Sequence, residues 1–249
     1  MARYEMLNNV AHKDLRVATR FGAAYGDNIG MVPAYPTEYA ELVREYPIFF
    51  RKNEDGEYQS VVLLGFDTNE NLFLDGEQWK ATYLPAHIAR GPFLIGFQEQ
   101  DIDGQSRREA VINVDMDHPR VNLEEGEAAF LPKGGNSPYL DQIGTLLRGI
   151  RDGMEGGKAM YAAFDALGLI QPLTLDIKFN DEHGANVTGL LGIDRERLAA
   201  LDAESLHALH RSGYLEGAYL VLASMHNVRR LMAEKQRRLS QEAVAANAG

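Results

Sequence analysis

The sequence contains no cysteine and no long hydrophobic run, and each absence excludes a class of chemistry or location. Without thiols there is no disulfide, thiolate zinc site, iron–sulfur cluster or cysteine nucleophile, so any metal has to be held by His, Asp or Glu. The longest apolar run covers residues 218–223, far short of the ~20 residues that span a bilayer. The first residues lack the unbroken apolar segment of a secretory signal. We therefore expect a cytoplasmic protein with no transmembrane segment.

Positive charge is also scarce, because 25 Lys and Arg stand against 36 Asp and Glu and give a formal net charge of −11. A protein with this balance has no long-range attraction for nucleic acid or anionic lipid, so we expect no nucleic-acid partner. Its 249 residues are enough for one large domain or two small ones, and 45% hydrophobic residues are typical of a soluble globular protein. A homo-oligomer is compatible with this composition.

The order of strand and helix signals predicts an α+β fold. In the first half, apolar segments at 48–51 and 58–66 flank Asn53-Glu54-Asp55-Gly56, which carries the Asp-Gly signal of a hairpin. Further strands at 71–76, 93–98 and 109–115 make this half mainly antiparallel sheet. A late hairpin pairs the alternating stretch 173–179 with 187–193, and a helical segment follows it. We predict one compact domain over residues 1–240, with a subdivision near 134–136 as the alternative, and a disordered tail over 241–249.

Helix boundaries in the second half rest on capping signals. Ser137 and Pro138 suit an N-cap and a first helical position, and apolar residues follow at spacings of three and four. Gly153, Gly156 and Gly157 predict a kink or break in this helix, because each costs about 1 kcal/mol relative to Ala. Asp194 and Asp202 are predicted to be the N-caps of two short helices. A last helix is predicted from Tyr214 to about Leu239, and its second half faces solvent with Arg229, Arg230, Lys235, Arg237 and Arg238.

No catalytic motif is present. The stretch Gly153-Met154-Glu155-Gly156-Gly157-Lys158 is similar to a phosphate-binding loop, but Asp152 stands in the place of its first glycine and Ala159 in that of its hydroxyl residue. None of the serines lies in a G-x-S-x-G turn. We therefore expect no cofactor and favour a non-catalytic protein.

Two groups of residues suggest a metal site as the alternative. His12 and Asp14 satisfy the H-x-D spacing that opens the two-histidine, one-carboxylate site of non-haem iron oxygenases. Asp115, Asp117 and His118 follow a predicted strand and place three donors within four residues. Capping or a solvated turn explains each group without a metal, and we favour that explanation.

An aromatic and proline-rich segment over residues 79–93 is the strongest binding candidate. It contains the only tryptophan of the chain and one arginine, Arg90, which can pair with a carboxylate or stack on a ring. It either lines a ligand or peptide groove or fastens an irregular connection onto a core. The predicted contact residues are Trp79, Tyr83, Arg90 and Phe93, together with Asp115.

A series of motifs runs along nearly the whole chain: Tyr46-Pro47-Ile48-Phe49-Phe50, Leu64-Gly65-Phe66, Glu70-Asn71-Leu72-Phe73, then Trp79 with Tyr83, Pro85, Arg90, Pro92 and Phe93, then Val111-Ile112-Asn113-Val114-Asp115 and Gly189-Leu190-Leu191-Gly192-Ile193-Asp194. In this order they resemble the SapC family, bacterial proteins of about this length named for a surface-layer gene cluster. Gly91 departs from the pattern, since a bulkier residue is expected between the arginine and the proline.

The resemblance implies an association with surface-layer protein or with its transport. It also implies a gene that lies beside those of TonB-dependent receptors and flavin-dependent tryptophan halogenases, as for many members of the family. It implies no catalytic residues. A direct surface-layer role conflicts with the missing export signal, so we expect a cytoplasmic accessory protein that binds a peptide or protein client. The alternative is an iron-dependent peptide-modifying oxygenase that uses His12 or the group from Asp115 to His118.

Overall fold

A computed structural model of the chain describes residues 2–102 and 105–247, and it confirms the predicted α+β class with antiparallel sheets. The strands are β1 (Tyr4–Met6), β2 (Arg16–Val17), β3 (Met31–Ala34), β4 (Ile48–Lys52), β5 (Tyr58–Leu63), β6 (Leu74–Asp75), β7 (Gln78–Trp79), β8 (Phe93–Ile102), β9 (Gln105–Asp115), β10 (Val121–Asn122), β11 (Glu127–Ala128), β12 (Ile170–Lys178) and β13 (Gly184–Ile193). The α-helices are α1 (Tyr39–Leu42), α2 (Ala86–Ala89), α3 (Pro138–Ala166), α4 (Arg195–Ala199), α5 (Ala203–Arg211), α6 (Tyr214–Ser224) and α7 (Asn227–Asn247).

Contacts along the chain cluster into two compact units. Unit 1 comprises Met1–Asp27, Gly76–Gln78 and Ala86–Asp152, and unit 2 comprises Asn28–Asp75, Trp79–Pro85 and Gly153–Gly249. Each unit is made of several separate segments of the chain, and in the second half of the chain the units meet between Asp152 and Gly153. The subdivision near 134–136 stays a prediction. The single domain over residues 1–240 stays a prediction.

Unit 1 contains a three-stranded antiparallel sheet in the order β1-β9-β8. Phe93 pairs with Val114 across the two strands, and both side chains are fully buried. Directly opposite residues lie on the same face of a sheet, so this face is the buried one at the pair. The strands predicted at 93–98 and 109–115 are therefore confirmed and extend further than expected. A smaller sheet in the order β10-β2-β11 lies in the same unit.

A buried ion pair holds unit 1 together. Arg120 donates to both carboxylate oxygens of Asp27 at 2.8 and 2.7 Å, and both residues are at most 5% exposed. The guanidinium also donates to the carbonyl of Ala18 at 3.0 Å and lies over the rings of Phe21 and Tyr25. Since 93 residues separate the two charges, no local pattern in the sequence indicates the pair.

Unit 2 is built on a five-stranded antiparallel sheet in the order β12-β13-β4-β5-β3. Both predicted hairpins are confirmed: β4 with β5, and β12 with β13. Gly56 has a φ of +80° in the first hairpin turn, a conformation that side chains disfavour. The strand predicted at 71–76 is reduced to Leu74–Asp75, because Asn71 Oδ1 accepts the backbone N–H of Phe73 in a turn.

A cluster of buried hydrophobic residues covers one face of this sheet. Alternation over 173–179 puts Ile177 and Phe179 in the buried cluster, as the sequence predicted. Helix α7 adds Leu231 to the same cluster. The cluster consists of Phe49, Val61, Leu63, Phe66, Leu72, Ile177, Phe179, Leu190 and Leu231.

Helix α3 begins where predicted, since Ser137 Oγ accepts the N–H of Leu140 at 3.1 Å. Of the kink or break predicted at the glycines, the break is wrong, because the helix runs without interruption to Ala166. A Cβ at Gly153 would lie 2.7 Å from Thr37 Oγ1, so the glycine allows the close approach of this segment. Tertiary contact thus outweighs the low helix propensity of glycine.

The last helical region differs from the prediction in two ways. The N-caps are confirmed, but the single helix expected from Tyr214 is divided into α6 and α7. Buried Ser224 accepts the N–H of Ile48, and Asn227 donates to the carbonyls of Val43 and Tyr46, which turns the chain. Residues 241–247, expected to be disordered, are helical, in keeping with their Ala-rich sequence; 248 and 249 lie outside the described residues.

Candidate functional site

The predicted contact segment is divided between the two units. Trp79 and Tyr83 belong to unit 2, whereas Arg90, Phe93 and Asp115 belong to unit 1. Each group is therefore a local arrangement with its own partners.

Trp79 is half-buried in an aromatic cluster of unit 2. Its indole stacks on the ring of Phe73 at a centroid distance of 6.1 Å and an interplanar angle of 10°. Phe73 in turn packs against the ring of Tyr46 at 4.5 Å. The indole Nε1–H donates to the Tyr46 hydroxyl at 2.8 Å, so the polar edge of the tryptophan is bonded within the protein.

Hydrogen bonds continue from this cluster to Tyr83. The Tyr46 hydroxyl donates to the carbonyl of Tyr83 at 2.5 Å, and the Tyr83 hydroxyl donates to Glu38 Oε2 at 2.9 Å. Burial, together with the neighbouring Glu38 carboxylate, raises the pKa of Tyr83 far above its ordinary value, so this hydroxyl remains a donor. Glu45 Oε2 accepts the backbone N–H groups of Thr82 and Tyr83. The path of residues 79–83 is therefore fixed at several points.

A surface pocket of ≈ 220 Å³ lies beside this fixed segment, and we call it the Phe73 pocket. Its apolar surface comes from aromatic and aliphatic side chains, and charged groups of both signs line the rest. Most of these residues come from the 79–83 segment, from the turn before it and from helix α7. They are Glu45, Leu72, Phe73, Lys80, Ala81, Arg230, Leu231 and Glu234.

Two of the charged residues at the Phe73 pocket, Glu234 and Lys80, already have charged partners in the protein. Hydrogen bonds from Arg237, then from Arg238, lower the pKa of Glu234 to about 2, so its carboxylate is ionised at neutral pH. Lys80 lies 3.1 Å from Asp75 and 3.8 Å from Glu234. Both charges are thus held in ion pairs of the protein itself.

A second pocket of ≈ 250 Å³ in unit 2 contains Ser60 and Tyr161. The Ser60 hydroxyl bonds with the hydroxyls of Tyr39 and Tyr161, and Lys158 at the rim lies 3.4 Å from Glu57. Burial raises the pKa of both phenols, which keeps them protonated. The hydroxyls of Ser60 and Tyr161 are therefore bonded within the protein.

In unit 1 the predicted contact residues Arg90, Phe93 and Asp115 have bonding or packing partners within the protein. The Arg90 guanidinium donates to the carbonyl of Phe93 at 2.9 Å, and the Phe93 ring is fully buried 6.2 Å from that of Tyr139. Asp115 ends β9, and its Oδ1 accepts the N–H of Asp117 at 3.1 Å.

The residues of the metal alternative do not converge. Buried His12 has its Nε2 3.1 Å from Glu5 and its Nδ1 accepting the N–H of Asn8, while exposed Asp14 lies 3.8 Å from Lys13. His118 Nδ1 accepts the N–H of Arg120 at 3.1 Å. Over residues 2–102 and 105–247, no three His, Asp or Glu side chains are grouped as metal ligands. The donor set therefore does not fit the iron site that the H-x-D spacing suggested.

The sequence predicts the segment that borders the Phe73 pocket but not the other residues of its lining. Phe73 stands out only as part of a family motif, and the pattern of the last helix predicts a solvent-facing Arg230. Arg230 and Lys80 are 150 positions apart, so no spacing rule brings them together.

These features define a mixed α+β protein with an aromatic-walled surface pocket. A family model described as SapC matches residues 7–231, nearly the whole chain, and the chain therefore belongs to the SapC family. No curated protein and no solved structure shows significant similarity to it. Within the described part of the chain, none of the helices is both long and apolar enough to cross a membrane.

Proposed function

We propose that this SapC-family protein is a cytoplasmic accessory protein that binds a peptide segment of a protein client in the Phe73 pocket and does not alter it chemically. The observation that carries the proposal is the pocket itself: an aromatic and aliphatic surface with charged groups around it. Binding sites combine apolar surface with a few fixed polar groups, which set the orientation of the ligand.

The fixed wall supports this function. Trp79 and Tyr83 are bonded to Tyr46 and Glu38, so the adjoining Lys80 and Ala81 are presented on an ordered backbone. A site that is ordered before binding loses less conformational entropy when a ligand arrives. The aromatic residues of the segment thus act as the support of the site, and the residues between them as its contacts.

The family resemblance gives the client class of the proposal, a protein of a surface-layer or outer-membrane-receptor system. Arg90, Phe93 and Asp115 remain proposed client contacts in unit 1. Of these, Asp115 is the one to test by substitution, since Phe93 is fully buried and Arg90 bonds to its backbone.

Affinity selection from a synthetic mixture of random hexapeptides with free termini tests the proposal. Bound peptides are identified by mass spectrometry after capture on the wild-type protein, on Ala81→Trp and on Thr82→Trp. Ala81 lines the pocket, so the tryptophan fills it, whereas exposed Thr82 is the adjacent position outside the lining.

We expect a common peptide pattern on the wild type and on Thr82→Trp, and its loss on Ala81→Trp. Peptide masses should be unchanged after incubation with the protein. Equal selection by all three proteins would show that the pocket is not the binding site, and a changed peptide mass would show that the protein is an enzyme.

A further inference from the structure

The cations and anions at the Phe73 pocket differ in what they already bind. Glu234 accepts from Arg237 and Arg238, and Lys80 is paired with Asp75 and Glu234. A ligand that approaches these groups meets charges that the protein has neutralised.

Arg230 differs from Glu234 and Lys80. One of its terminal nitrogens donates to the carbonyl of Arg44 at 2.8 Å and lies 3.5 Å from Asn227 Oδ1. Within the described part of the chain, the ion pairs include none between Arg230 and a carboxylate. Its guanidinium therefore keeps donors for a planar, negatively charged group of a ligand, and a carboxylate accepts two such bonds side by side.

The apolar part of the pocket limits the size of the group beside that carboxylate. Phe73 and Ala81 are the partly exposed apolar residues of the lining, and Leu72 and Leu231 lie buried behind them at 2% and 3% exposure. The cavity of ≈ 220 Å³ is smaller than the ~300–1,000 Å³ typical of sites for drug-sized ligands. This space suits a single amino-acid side chain. A ligand that satisfies both features has a carboxylate next to one apolar side chain.

We infer that the Phe73 pocket binds the carboxyl terminus of a peptide, with the terminal carboxylate on Arg230 and an apolar last side chain against Phe73. This assignment rests on the proposed function and specifies its ligand. A free apolar amino acid carries the same carboxylate, but it adds an ammonium group. The acidic groups at the pocket already accept from Arg237, Arg238 and two backbone N–H groups, so they favour the peptide.

Trp79 provides a built-in reporter for the test, because it is the only tryptophan and it stacks on Phe73 in the pocket lining. Its fluorescence and its indole N–H resonance are followed during titration with four probes. These are N-acetyl-Gly-Gly-Phe as the free acid, the same peptide as its amide, N-acetyl-Gly-Gly-Gly as the free acid, and phenylalanine.

We expect the free acid of N-acetyl-Gly-Gly-Phe to bind about tenfold more tightly than its amide, as a charge-assisted hydrogen bond to a partly exposed site requires. Arg230→Met should remove this preference. Arg229→Met removes the same charge from the neighbouring exposed position, which is outside the pocket lining, and should retain it. The acid-to-amide comparison on the wild type stands even if a variant folds poorly.

Three results would overturn the inference. Equal affinity for acid and amide would show that the carboxylate is not read, and tighter binding of phenylalanine than of the peptide acid would assign the site to a free amino acid. Equal loss in Arg229→Met and Arg230→Met would reduce the effect to general charge. If hexapeptides selected through the Ala81-dependent site still bind with their carboxyl ends amidated, the proposed function stands and the terminal recognition fails.

Discussion

The Tyr46 hydroxyl joins Trp79 to Tyr83, and its removal should loosen the wall of the Phe73 pocket. In Tyr46→Phe the ring remains against Phe73, but the Trp79 indole N–H loses its acceptor and the Tyr83 carbonyl loses its donor. An unmade bond to a buried group costs about 1–3 kcal/mol. Both bonds are only partly buried, so we take the low end, about 2 kcal/mol in total.

This loss corresponds to a fall of about 4–8 °C in melting temperature for a protein of this length. Urea unfolding gives the free energy of unfolding, and the indole N–H resonance of Trp79 should move because its hydrogen bond is lost. Tyr219→Phe is the control, since Tyr219 is 52% exposed and should change stability by less than about 0.5 kcal/mol. If the two variants are equally stable and the Trp79 resonance does not move, the proposed bonding of the wall is wrong.

Three further perturbations test other parts of the fold by urea unfolding. Arg120→Met leaves the Asp27 carboxylate buried without its partner and should lower the free energy of unfolding by about 3–5 kcal/mol. Arg20→Met removes an arginine from exposed ion pairs and should cost less than about 1 kcal/mol, so equal costs would refute the buried pair. Gly153→Ala should destabilise the protein by about 1–3 kcal/mol, because the added Cβ would lie 2.7 Å from the hydroxyl of Thr37. Gly156→Ala meets nothing within 4 Å and should stabilise the protein by about 1 kcal/mol, so the same sign for both variants would contradict the proposed role of Gly153. Burial, and then the charge of Arg90, lowers the pKa of His87 to about 4, so below pH 6.5 the unfolded chain binds more protons than the folded protein. The free energy of unfolding should therefore fall as pH drops toward 4, by up to ~1.4 kcal/mol per pH unit. His87→Gln should lack this component, and identical pH profiles of the two proteins would count against it.

Local signals in the sequence predicted the elements whose causes are themselves local. Ser137, Asp194 and Asp202 each accept a backbone N–H at a helix start, and Gly56 occupies the hairpin turn. The alternation over 173–179 predicted both the strand and its buried face. In each case the relevant partners lie within a few residues, which is the range that propensity and periodicity report.

The errors arose where distant segments meet. Gly153 predicts a kink or break in helix α3, but in the structure it makes room for Thr37. The helical pattern predicts Lys235 and Arg238 in solvent, yet Lys235 donates to Glu70, and Arg238 donates to the backbone carbonyls of residues 71, 72 and 74. A cation on an amphipathic helix looks the same in sequence whether its head group meets water or a loop's carbonyls.

The same distinction explains how the segment 79–83 relates to the candidate site. The sequence predicts its aromatic side chains as contact residues, whereas in the structure their polar atoms form hydrogen bonds with Tyr46 and Glu38 inside unit 2. Lys80 and Ala81, which no motif marks, are the residues of the segment that border the Phe73 pocket. Substituting Trp79 would therefore alter binding through the order of the wall as well as through contact. Filling the pocket at Ala81 changes the binding surface while the hydrogen bonds of the wall remain, and so it isolates recognition from stability.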